Sequence, residues 1–145
     1  MFQIAQQRAQ FSRILPRLVL GLMLMAMAGR TTAVPGNITE AEIKLLPSYC
    51  PDTQVFADGD ARTTPRDKYW ISRMGPTFGA MHHYCWGLIN MSRSRRAGVP
   101  ENERRQQWET ARGDFLYVVK HSTPDFILLP EIYTRIGEVE LLLKN

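Results

Sequence analysis

The chain has 145 residues, enough for one domain, and carries 18 Lys and Arg against 14 Asp and Glu, a formal charge of +4. Four of those cations, Arg8, Arg13, Arg17 and Arg30, lie in residues 1–33, which contain no acid, so residues 34–145 balance at 14 against 14. A neutral body excludes, at the level of composition, a nucleic-acid partner, which would be held by many Lys and Arg contacts to phosphate.

Arg8, Arg13 and Arg17 precede Leu18 to Gly29, twelve residues without a polar side chain. That length suits the core of a signal peptide, whereas a membrane-spanning helix takes roughly 20 residues. Thr31-Thr32-Ala33 offers small residues to a signal peptidase, so residues 1–33 read as a signal peptide cleaved after Ala33. The competing reading is an uncleaved anchor. No cysteine stands near the cut, which argues against lipidation there. The expected product is periplasmic or secreted, with no membrane span once the leader is removed.

Residues 34–76 read as a short helix and a loop. Pro35-Gly36-Asn37 interrupts any continuation from the leader, and Thr39 with Glu42 three positions later has the form of a capping box. A helix from Glu40 to Leu46 follows, with Ile43 and Leu46 on one face, and Pro47 ends it. So short a helix is not stable alone. Residues 51–68 form a loop rich in Pro, Gly, Asp and Thr, in which Asp58-Gly59-Asp60 lacks the ligand spacing of a calcium loop and reads as a turn. A short helix or turn then runs from Asp67 to Met74.

Residues 77–145 read as a helical domain. The segment from Thr77 to Ala97 is expected to be one long helix, stopped by Gly98, with Phe78, Met81, Cys85, Leu88 or Ile89, and Ser92 on its buried stripe. Gly87 in mid-helix costs about 1 kcal/mol against alanine, a cost usually tolerated where another helix approaches closely. Pro100 is placed at the first position of a helix running to His121, with Trp108, Ala111, Phe115, Val118 and Val119 inward. A last helix spans Leu128 to Leu143 with Leu129, Ile132, Ile136, Val139 and Leu143 inward. No stretch sustains strand alternation, so the fold class is all-α.

Cys50 and Cys85 are an even pair in a chain read as exported, so a disulfide between them is expected, tying the N-terminal helix to the helical domain. Closing that loop stabilises by about 3–4 kcal/mol on the chain-entropy model. Two buried free thiols are the alternative.

Ala111-x3-Phe115 with Pro124 downstream, then Tyr133 and Ile136-Gly137, resembles the tetratricopeptide pattern, and Trp86-Gly87 answers Ile136-Gly137 in an earlier first helix. The step between Gly87 and Gly137 is 50 residues against the usual 34, which implies an extended connection around Arg93 to Arg105. The Leu-Pro-x-Tyr-Cys and His-His-Tyr-Cys-Trp-Gly-Leu elements also resemble uncharacterised exported bacterial proteins of tetratricopeptide-like fold. The resemblance implies a short array of helical hairpins whose concave face is lined by Met81, Tyr84, Leu88 and Met91 and by Glu131, Thr134, Glu138 and Leu141. On that basis the binding residues are Tyr84, Glu131, Thr134, Glu138 and Leu141, with the helix of Ile43, Leu45 and Leu46 over the first half of the groove.

Residues able to do chemistry concentrate at His82-His83-Tyr84-Cys85-Trp86, yet they complete no catalytic or metal signature. Cys85 with His82 one turn away is half of a thiol nucleophile and base pair without a local orienting group. Adjacent helical histidines point about 100° apart, so no catalytic residue, metal ligand or cofactor is assigned. Arg93 to Arg112, interleaved with Glu101, Glu103 and Glu109, read as a solvated rim. The expected function is an exported interaction module for a protein or peptide, with a homo-oligomer through the C-terminal helix as a further expectation. The alternative is a small enzyme or metal-binding protein centred on His82, His83 and Cys85.

Overall fold

The computed structural model describes residues 38–54, 56 and 64–144. The leader, its cleavage point, Pro35-Gly36-Asn37 and the Asp58-Gly59-Asp60 turn lie outside the described residues. Five α-helices occur among the described residues, α1 (Glu40–Lys44), α2 (Pro65–Met74), α3 (Met81–Ser94), α4 (Glu101–Lys120) and α5 (Leu129–Lys144), with 3-10 turns at Cys50–Asp52 and Gly75–Ala80 and no strand. The fold is all-α. α3 packs on α4 and α4 on α5, and the 3-10 turn Gly75–Ala80 touches α2, α3 and α4.

Local chemistry explains where the helices begin. Thr39 caps α1 through its hydroxyl, which accepts from the Glu42 amide at 3.2 Å, while Glu42 Oε2 accepts from the Thr39 amide at 2.8 Å. The same reciprocal box, Thr64 with Asp67, starts α2 at Pro65, two residues earlier than the sequence suggests. An aspartate in place of the usual glutamate conceals that box from the eye. The segment expected to form one helix from Thr77 is instead a 3-10 turn to Ala80 and an α-helix from Met81, ending at Ser94. Gly98, at φ +80°, makes the reversal after α3 in the left-handed region, and Pro100 sits in extended backbone as the cap before Glu101.

Tyr84, Phe115, Met81, Ile89, Ile132, Val118 and Val139 are fully enclosed. Phe115 fills the place a side chain at Gly87 would need: a Cβ there would lie 2.8 Å from ring atoms Cδ1 and Cζ and closer still to Cε1. A Cβ at Gly137 would meet nothing within 4 Å. Trp108 is buried with its indole N–H donating to Ser94 Oγ at 2.9 Å, and Ser94 donates to the Met91 carbonyl at 2.8 Å. The buried serine on the last turn of α3 is therefore Ser94, whereas Ser92, expected on the stripe, is half-buried.

Cys50 and Cys85 form a disulfide across 35 residues, both side chains without exposure. It joins the turn after α1 to the middle of α3. Among the described residues no helix is long and apolar enough to cross a membrane.

Candidate functional site

α1 is held to α3 twice. Besides the disulfide, Glu42, only 6% exposed, accepts from Arg93 Nε at 2.7 Å and Nη2 at 3.0 Å and from Arg96 Nη2 at 2.5 Å. The bonds from Arg93, aided by the Thr39 amide, lower the Glu42 pKa to about 2. Glu42 is legible in the sequence as a capping residue; its second role depends on a contact 51 residues away.

Held this way, Glu42 of α1 and the residues that follow the helix form one wall of a cavity of about 530 Å³. Leu45, Leu46 and Pro47 line one side, Leu88, Ile89 and Met91 of α3 the floor, and Arg95, Glu131, Arg135 and Glu138 the polar side. Leu45 is 78% exposed at its rim. The cavity joins an apolar floor to fixed charges, the composition of a site that orients a ligand by a few polar contacts.

The five expected binding residues separate into three groups. Glu131 and Glu138 line the cavity. Tyr84 lies beneath it, buried, donating its hydroxyl to Glu131 Oε1 at 2.5 Å. Burial first, then the Glu131 carboxylate, push the Tyr84 phenol far above its ordinary value, so it is a neutral donor that fixes Glu131. Thr134 and Leu141 are exposed on α5, outside the cavity lining, and the Thr134 hydroxyl donates to the Pro130 carbonyl at 2.9 Å. Met81 and Met91, expected on the concave face, are also buried.

The polar side is balanced rather than acidic. Glu138 accepts from Arg135 Nη1 at 3.1 Å and lies 3.9 Å from Arg95 Nη2. The arginines from Arg93 to Arg112 form specific pairs: Arg104 with Glu101, Arg105 with Glu109 and Arg112 with Glu140, besides those at Glu42 and Glu138. Arg95 and Arg135 carry no periodic signal that would place them at a cavity.

The second cluster lies on α3 and α4. His83 Nδ1 and Asp114 Oδ1 are 2.8 Å apart, so a carboxylate 31 residues downstream orients His83, whereas His82, the histidine one turn from Cys85, turns its Nδ1 to the Gly79 carbonyl at 3.0 Å. Burial raises the Asp114 pKa, partly opposed by His83 and Asn90. The His83 ring lies against Tyr117, tilted by 33°, with centroids 3.8 Å apart. Cys85 is bonded to Cys50, so no thiolate is available beside these histidines and the cysteine-nucleophile arrangement does not exist in this protein.

No protein-family model, curated protein or solved structure matches the chain.

Proposed function

We propose that the protein is an exported interaction module, released into a periplasmic or extracellular space by cleavage after Ala33, which receives a protein or peptide segment in the cavity between α1, α3 and α5. The buried disulfide agrees with an oxidising compartment. The observation that carries the reading is the open cavity itself: Leu45, Leu46 and Leu88 accept an apolar side chain, and the charges of Glu131, Arg135 and Glu138 meet the polar backbone beside it. In this reading the helical pairs are tetratricopeptide-like, supported by the close α3–α4 approach at Gly87. The exposed Leu141 extends the binding surface along α5, for the partner or for a second copy of the chain.

Affinity capture from the native envelope tests the proposal, with Leu88→Arg as the cavity variant. The expected result is a defined partner retained by the wild-type protein and lost with Leu88→Arg at an unchanged fold. Equal capture by both proteins overturns the assignment of the cavity.

A further inference from the structure

The three histidines of the chain, His82, His83 and His121, fall in one row of rings on α3, α4 and the residue that follows α4. His82 lies 4.4 Å from His83, His83 3.8 Å from Tyr117, and Tyr117 4.0 Å from His121, centroid to centroid. Each imidazole turns Nδ1 to an oxygen: His82 to the Gly79 carbonyl at 3.0 Å, His83 to Asp114 at 2.8 Å, His121 to the Tyr117 carbonyl at 2.8 Å. A carbonyl or carboxylate can only accept, so a neutral ring held this way carries its proton on Nδ1 and its lone pair on Nε2. That is the form that ligates a metal, and a carboxylate on the far nitrogen is the usual partner of a metal-bound histidine.

We propose that His82 and His83 bind one divalent transition-metal ion through their Nε2 atoms, with Asp114 as the positioning residue of His83. The 100° between neighbouring helical positions argues against such a pair in the sequence, but the side chains lean together until the rings are 4.4 Å apart. Both rings are partly exposed, so an ion can reach them. Imidazole nitrogen suits copper, zinc and nickel, and the order of divalent affinities peaks at Cu(II). The disulfide removes both thiolates from competition. Among the described residues no three His, Cys, Asp or Glu side chains gather around one point, so the protein supplies two ligands and leaves the other positions to water or a partner's donors. His121 stands beyond Tyr117 and takes no part.

The test titrates the chain with CuCl2 in chelator-free buffer, read by calorimetry and by electron paramagnetic resonance. One equivalent with hyperfine structure from two imidazole nitrogens is expected. His82→Ala and His83→Ala should each weaken it at least ~10-fold, and Asp114→Ala by about 10–100-fold with the nitrogen count unchanged, while His121→Ala leaves it unaltered. His82 makes only a bond within its own turn of chain, so its variant keeps the test valid if His83→Ala does not fold. The proposal is overturned by absence of uptake, by equal binding in the His82→Ala/His83→Ala double variant, or by loss on His121→Ala alone.

Discussion

Glu42 and Arg93 meet across 51 residues of sequence, Nε to Oε1 at 2.7 Å, with the carboxylate almost fully enclosed. The pair fastens a five-residue helix that could not persist in isolation, and so builds one wall of the cavity. The Glu42 pKa falls from its ordinary 4.5 to about 2. Above pH 4.5 Glu42 is ionised folded or unfolded and the pairing is complete; between 4.5 and 2 only the unfolded chain takes up the proton, so stability declines as pH falls through that window. Arg96 is over half exposed, and its share is reduced by solvent. We expect Glu42→Gln to cost about 2 kcal/mol at pH 7, with the gap to wild type closing towards pH 2 in urea melts. A gap independent of pH would exclude this pair as its source.

The disulfide fastens the same wall from the other end. Replacing Cys50 and Cys85 together by alanine should destabilise by about 2–5 kcal/mol, with the far-ultraviolet helical signal retained below the melt. The single serine variants should melt lower still, because each would place a hydroxyl where the native sulfur has no exposure. Unchanged melting of the double variant would mean that the bond does not constrain the unfolded chain.

The helices were legible because their signals are local. Thr39 and Glu42, the apolar repeats around Trp108 to Val118 and Leu129 to Val139, and the Gly98 stop each lie within a turn or two of what they determine. The 3-10 turn at Gly75–Ala80 was not, since a run of apolar residues after Gly75-Pro76 fits an α-helix equally well. The cavity was legible only in part. Glu131 and Glu138 share a helical face and could be placed together, but the arginines that neutralise them and the burial of Tyr84 are tertiary facts. Asp114 as partner of His83 belongs to the same class.

Gly87 and Gly137 provide a paired test of packing. Both are helical, and alanine gains up to about 1 kcal/mol of intrinsic propensity at either site. At Gly137 the new methyl meets nothing, so Gly137→Ala should stabilise by up to that amount. At Gly87 the methyl overlaps the ring of Phe115, which is fully buried and would have to shift within the core, so Gly87→Ala should destabilise by about 1–3 kcal/mol despite the propensity gain. Opposite signs in thermal melts are the expected outcome, and a stabilised Gly87→Ala would contradict the close packing of α3 on α4.

The reach of the binding surface along α5 turns on Leu141. Its neighbours Leu142 and Leu143 are partly buried against the core, so charging either would disturb folding together with any interface. Leu141 is 66% exposed, and Leu141→Glu should leave the melt within about 0.5 kcal/mol of wild type. If α5 contributes to partner binding as proposed, the same change should weaken capture at least ~10-fold, the effect of losing about 1.4 kcal/mol from the contact. Light scattering over a range of concentrations identifies the occupant: an association of the wild-type chain that Leu141→Glu abolishes makes it a second copy, and a monomer throughout makes it a different protein. Capture unchanged by Leu141→Glu, with a monomer at every concentration, would confine binding to the cavity beside Glu131 and Glu138.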